Sequence, residues 1–199
     1  MSTKELVYDP VFDAQKHYRI ILDSIARPGK ISILDGVELQ PPAGLNKASA
    51  LTGFALLNQD VSFFVETNIE EQTHYLKINT ASNTASEDSA DFLFLSGQGA
   101  VRNVEMAKPG TLRYPDTSAT LILNVEQISG EVESGCTEIQ LKGPGVDGIA
   151  TVYVRGLSPE IMDAIREKNL EYPLGIDSII TDEQNNIFCI PRTTAFRLV

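Results

Sequence analysis

The chain contains few of the residues from which a metal centre or an activated nucleophile is built. Its 199 residues hold two histidines, His17 and His74, and two cysteines, Cys136 and Cys189. There is no H-E-x-x-H pair and no clustered Cys/His set, which excludes the common zinc arrangements. Neither cysteine belongs to a Cys-x-x-Cys pair, and two widely separated thiols do not suggest a disulfide framework. Cys189 lies in the apolar run Ile187-Phe188-Cys189-Ile190 and reads as a small core residue. Cys136 follows Gly135 with little to activate it, and His17 beside Tyr18 reads as a helix-surface or boundary residue. The sequence lacks a G-x-S-x-G elbow and a G-x-x-x-x-G-K-[ST] loop, which disfavours a serine hydrolase of that type and a P-loop nucleotide hydrolase.

Basic charge is also scarce. Sixteen Lys and Arg stand against 27 Asp and Glu, a formal charge of -11. A nucleic-acid or anionic-membrane surface needs a basic face to neutralise phosphates, so neither partner is expected. A local anion site of one or two arginines remains compatible with that total. No apolar run approaches the roughly 20 residues that span a bilayer. The start has no basic stretch followed by an apolar run. The expectation is a cytoplasmic chain without a membrane segment.

What is present is ordinary for a globular protein, 42% hydrophobic and 22% charged. A chain of this length is expected to form one domain over residues 1–199, with a single substantial core. The spacing of Ala14, Tyr18, Ile21, Leu22 and Ile25 predicts a helix over 13–26, with Asp13 as its cap and Pro28-Gly29 ending it. A strand over 30–34 and a Pro41-Pro42 loop follow, then a helix over 47–58 with Leu51, Ala55 and Leu56 inward. Strands are predicted over 61–65, 91–95, 117–125, 137–142, 149–154, 178–181 and 187–190. Helical character covers 69–78, and 79–88 reads as a loop. Ser158-Pro159 opens a last helix that buries Ile161, Ala164 and Ile165. Helices and strands alternate early and strands cluster late, so the fold class is α/β, a mixed sheet flanked by helices.

Gly143-Pro144-Gly145-Val146-Asp147-Gly148 is a literal G-x-G-x-x-G. A dinucleotide loop needs a helix after it, whereas 149–154 is β-rich and Pro144 removes an amide. A strand–turn–strand connection explains it better. Gly97-Gln98-Gly99 also follows a strand but has Arg102 where a third glycine would stand.

Two arginine segments carry the remaining chemistry, Leu112-Arg113-Tyr114-Pro115 and Ile190-Pro191-Arg192-Thr193-Thr194. Arginine forks recognise phosphate or carboxylate at two points, and hydroxyls complete such sites. Arg113, Tyr114, Arg192, Thr193 and Thr194 are therefore candidate anion-binding or interface residues. A structural salt bridge with a polar strand end accounts for the same residues.

An ordered set of segments resembles one family. It comprises Asp13-Ala14-Gln15 with Tyr18-Arg19 and Pro28-Gly29, then Pro109-Gly110-Thr111 through Tyr114-Pro115, and Ser118-Ala119-Thr120-Leu121. Leu141 with Gly143-Pro144-Gly145, Tyr172-Pro173-Leu174-Gly175-Ile176-Asp177 and Ile190-Pro191-Arg192-Thr193-Thr194 complete it. Together they resemble the PhnH subunits of the bacterial carbon–phosphorus lyase system, with Tyr172 in place of a Phe. The resemblance implies a fold related to pyridoxal-phosphate-dependent transferases but without that cofactor, a homodimer, and association with sister subunits. It further implies a pathway in which a phosphonate displaces the base of a nucleoside triphosphate, giving ribose 1-phosphonate 5-triphosphate. None of the eight lysines follows a Ser/Thr-x-x-Lys pattern, in keeping with an expected absence of cofactor. Three roles stay open: a non-catalytic or jointly catalytic subunit that stabilises the phosphonate-processing core, a phosphate- or phosphonate-binding enzyme with a dimer-interface pocket, and a pure dimeric scaffold.

Overall fold

A computed structural model describes residues 7–66 and 70–199. The order is α1 (Phe12–Ala26), β1 (Ser32–Ile33), α2 (Lys47–Leu56), β2 (Ser62–Val65), α3 (Glu70–Thr80), β3 (Asn83–Thr84) and β4 (Phe92–Ser96). It continues with α4 (Val101–Met106), β5 (Thr120–Asn124), β6 (Gln127–Ser129), β7 (Thr137–Lys142) and β8 (Ala150–Arg155). Helix α5 (Pro159–Lys168) and strands β9 (Asp177–Thr181), β10 (Asn186–Ile190) and β11 (Ala195–Leu198) close the chain.

The main sheet runs β1-β10-β9-β5-β4-β2-β3. Strands β3, β2, β4, β5 and β9 are mutually parallel, β10 is antiparallel to β9, and β1 pairs antiparallel with β10. The expected mixed sheet flanked by helices is thus what the chain forms. The central strands are apolar on both sides, as a sheet covered on both faces requires. Ile122, Phe94, Ile179 and Cys189 face one core with Ile21, Leu51, Phe54, Tyr75 and Leu76 of α1, α2 and α3. Leu93, Leu95, Leu121, Leu123, Ile180 and Phe188 face the other, with Val104 of α4 and Ile161 and Ile165 of α5. That second core also takes Ile139, Leu141, Val152 and Val154 from an antiparallel sheet ordered β11-β7-β8-β6. Each fully buried aliphatic contributes about 1.5–3 kcal/mol, so the two layers of side chains clamp the sheet from both sides.

The Gly143–Gly148 segment joins β7 to its antiparallel neighbour β8, as the strand–turn–strand interpretation requires. Gly145 has φ +81°, and a β-carbon there would lie 2.1 Å from the Ala26 carbonyl oxygen. The turn therefore packs directly on the end of α1, beside Pro28. This contact brings Pro28-Gly29 and Gly143-Pro144-Gly145 against each other.

Helix α1 departs from its expected orientation. Its buried residues are His17, Ile21 and Ser24, whereas Tyr18 and Leu22 are 48% and 52% exposed. The polar members of the buried stripe find partners in the chain that returns beneath the helix. Ser24 Oγ donates to Ser32 Oγ at 2.9 Å, and His17 Nε2 lies 3.2 Å from the Asp35 carbonyl oxygen. His17 is therefore a core residue, not a surface or boundary one. Asp9, not Asp13, accepts the free N–H groups of Val11 and Phe12 at the helix start, while Asp13 accepts the Asp9 N–H.

Other boundaries shift for simple reasons. The strand expected over 30–34 keeps only Ser32–Ile33, at the edge of the sheet, and the helix expected over 47–58 ends at Leu56, leaving Ala55 and Leu56 half-buried. Ile69 lies outside the described residues, and α3 runs on to Thr80. The expected 79–88 loop contains the two-residue β3, paired to β2. The strand expected over 117–125 is preceded by a 3₁₀ turn, Pro115–Thr117, and spans Thr120–Asn124. Helix α4 and strands β6 and β11 lie outside the elements that the residue patterns predict.

Candidate functional site

Among the parallel strands, β2 connects through α3 to the edge strand β3, and β4 connects in the opposite direction through α4 to β5. The helices lie on opposite faces of the sheet. The crossovers therefore diverge at the carboxyl ends of β2 and β4, where open α/β sheets leave a crevice. A cavity of about 530 Å³ opens there, bounded by the 41–47 segment, the ends of β2, β4 and β5, and Gly156 and Glu183.

The rear of the cavity is a buried hydrogen-bond network that fixes α2 to the sheet. Asn46 caps α2 by accepting the Ser49 N–H at 2.8 Å, and its Nδ2 donates to the Thr181 carbonyl at 3.1 Å. Ser49 Oγ donates to Asn124 Oδ1 at 2.9 Å and lies 2.7 Å from Thr181 Oγ1. The Asn46 N–H donates to Asn124 Oδ1 at 3.1 Å. These side chains have spent most of their donors and acceptors on one another, so they shape the cavity more than they read a ligand.

The walls supply Val65, Phe94, Leu95 and Val125 as apolar surface. The charged lining residues among those described are Lys47, Glu66, Glu126 and Glu183. The Lys47 side chain is 18% exposed and meets Glu38 at 3.4 Å. Glu66 spans the crevice: its carboxylate accepts N–H groups of Ser96 at 2.7 Å and Ala100 at 2.5 Å, and the Asn103 side-chain amide at 3.2 Å. Three acids against one lysine make the cavity electronegative, suited to polar uncharged or cationic groups. Among the described residues, no group of three or more His, Cys, Asp and Glu is placed to hold a metal ion.

The residues singled out from the sequence lie at the other end of the sheet, near the amino ends of β5 and β9. The structure brings their two segments together. Arg192 donates through Nη1 to the Pro115 carbonyl at 2.7 Å, and through Nη2 to Ser118 Oγ and Asp177 Oδ2, both at 2.5 Å. Its Nε reaches Asp177 Oδ1 at 3.3 Å. Arg113 is exposed and stacks over its neighbour Tyr114, 5.2 Å from the ring centre. Thr193 is exposed, and Thr194 is buried with its hydroxyl unpaired. The ion pair and the polar strand end are both real features of this corner, and Arg113, Tyr114 and Thr193 are the members that reach its surface.

The cavity residues were missed by sequence reasoning, yet a signal was there. Three of the buried parallel strands are followed at once by a polar or small residue, Glu66 after β2, Gly97 after β4 and Asp182 after β9, whereas β5 runs on into Val125. Gly97-Gln98-Gly99 indeed turns at this site, but it wraps a carboxylate of the same chain.

Among the described residues, no helix is long and apolar enough to cross a membrane. A family model described as bacterial phosphonate metabolism protein (PhnH) matches residues 6–197. The PhnH subunit of alpha-D-ribose 1-methylphosphonate 5-triphosphate synthase from Rhizobium meliloti (strain 1021) is 30% identical over 189 residues, covering 94% of this chain and 91% of that protein. A putative C-P lyase subunit protein, HtxG, from Stutzerimonas stutzeri is 28% identical over 115 residues, covering 58% of this chain and 55% of that protein. The matched span takes in the turn against Ala26 and the Arg192 corner, both of which hold distant parts of the chain together. On the match over nearly its whole length, this chain belongs to the PhnH family of bacterial phosphonate metabolism proteins.

Proposed function

We propose that this chain is a subunit of a cytoplasmic carbon–phosphorus lyase core assembly. There it supports formation of ribose 1-phosphonate 5-triphosphate from a nucleoside triphosphate and an alkylphosphonate. The observation that carries this is the 30% identity, over 94% of the chain, to a protein named as a subunit of the corresponding synthase. The subunit works as one domain over residues 1–199, as a homodimer, and needs sister subunits to complete its reaction surface. Its architecture derives from that of pyridoxal-phosphate-dependent transferases, with the shape kept and the cofactor chemistry gone. Purified alone and given nucleoside triphosphate and methylphosphonate, it turns over neither; robust turnover by the isolated chain refutes the subunit role.

The Arg192 corner is the contact region in this account. Arg113, Tyr114 and Thr193 meet a partner chain or the phosphate of a ligand. Arg192 and Thr194 hold the two loops that present them. The exposed Arg113–Tyr114 stack supports this, because arginine and tyrosine dominate the energetics of protein interfaces. A stand-alone phosphonate-binding protein would use the same residues, and calorimetry separates the two. If phosphonate or nucleotide binds the isolated chain and Arg113→Ala removes that binding, the ligand site is correct. If nothing binds alone and Arg113→Ala weakens subunit association, the interface is.

A further inference from the structure

The crevice between β2 and β4 has the makings of an oxyanion site, and the chain fills it itself. Three N–H donors converge there from separate places: the last residue of β4, the Ala100 backbone and the Asn103 side chain, which is itself buried. Together they hold both oxygens of the Glu66 carboxylate. The approach is so close that a β-carbon on Gly99 would lie 2.1 Å from Glu66 Oε1, so glycine here leaves room for the carboxylate in this position. Converging amides beside a glycine, at the point where crossovers diverge, are what α/β proteins use to grip a phosphate. Here the anion is covalently part of the chain, and Glu126 and Glu183 on the same cavity add further negative charge.

We propose that Glu66 is a built-in ligand that determines the specificity of the cavity, occupying the oxyanion cradle and excluding phosphate and phosphonate groups from it. A tethered carboxylate outcompetes a free oxyanion because its effective concentration is high and its ordering is already complete. A second anion placed beside it meets direct repulsion. The cavity therefore receives uncharged or cationic groups. Given the proposed subunit role, the phosphate-bearing ends of the reactants are gripped by sister chains.

The test is a titration of the ¹⁵N-labelled full chain with inorganic phosphate at constant ionic strength, read at the amides of Ser96 and Ala100. In the wild-type chain these resonances stay in place. In Glu66→Ala they move saturably, with an affinity for phosphate on the order of tenfold or more above wild type, the gain that one charge-assisted contact supplies. Saturable movement in the wild-type chain overturns the proposal, and so does a folded Glu66→Ala chain that gains nothing. If Glu66→Ala does not fold, Glu66→Ser carries the same readout. Loss of folding in both contradicts the proposal too, since the carboxylate would then be a structural requirement and not a plug. Wild-type phosphate binding would leave subunit membership intact, so the two ideas fail separately.

Discussion

Arg192 and Asp177 are joined side by side, Nε to Oδ1 at 3.3 Å and Nη2 to Oδ2 at 2.5 Å, with 15% and 26% of their side chains exposed. The pair locks the start of β9 to the end of β10, while the rest of the guanidinium reaches across to Pro115 and Ser118 before β5. One side chain thereby gathers three loops at one end of the main sheet.

Removing it should loosen that end of the sheet. Arg192→Ala strands a half-buried carboxylate and frees the Pro115 carbonyl and the Ser118 hydroxyl. The expected loss is about 2–4 kcal/mol, after allowing for partial exposure of the pair. Arg192→Lys should recover only part of it, because an ammonium does not reproduce the fork. Urea unfolding of the three proteins measures both values.

The α2 anchor should behave as a coupled unit. Asn46→Ala deletes a helix cap and a bond to β9, for an expected cost of about 1–3 kcal/mol. Because Asn46 and Thr181 are in direct contact, with Nδ2 to Oγ1 at 3.2 Å, the double variant with Thr181→Ala should fall short of additivity. The expected coupling is about 0.5–2 kcal/mol. Additive losses would dissolve the network into independent bonds.

Stability should fall on mild acidification because of His17. Burial pushes this imidazole below its ordinary value, against smaller opposing influences from the Asp35 carbonyl and the carboxylates of Asp13 and Asp35; Lys16 adds to the depression. The unfolded chain then binds more protons, so the contribution is complete above about pH 6.5 and is lost as pH falls from there through the lower folded value. Asp91, held below the usual carboxylate range by Lys108 and Ser62 despite desolvation, adds a separate loss below about pH 4. His17→Gln should flatten the fall in urea midpoint that begins below about pH 6.5 and leave the more acidic fall unchanged.

The turn on α1 gives a steric prediction. Gly145→Ala places a methyl group against the Ala26 carbonyl and forces a side chain into left-handed backbone. A cost of at least about 1–2 kcal/mol is expected from the backbone alone. A thermal midpoint equal to wild type would show that the turn does not bear on the helix.

Much of this architecture could be read from residue patterns. The doubly apolar runs around Leu93, Ile122 and Ile179 fixed the central strands, and Ser158-Pro159 fixed the start of α5. What escaped depended on partners distant in sequence. Apolar spacing placed Tyr18 and Leu22 inward, because it does not register that His17 and Ser24 find hydrogen-bond partners at Asp35 and Ser32. Strand β11 was hidden since its pairing with β7, Phe196 opposite Leu141, is a contact between distant segments. The cavity escaped for a similar reason. Glu66, Ser96 and Asn124 are unremarkable one at a time and become a site only where parallel strands end side by side.

The most direct trial of the account is native mass spectrometry of the tagged full chain, co-expressed with the other proteins of a phosphonate-degrading assembly. A stable complex with two copies of this chain and fixed numbers of sister subunits is the predicted result. A chain that emerges unaccompanied while phosphonate breakdown proceeds without it would contradict the account.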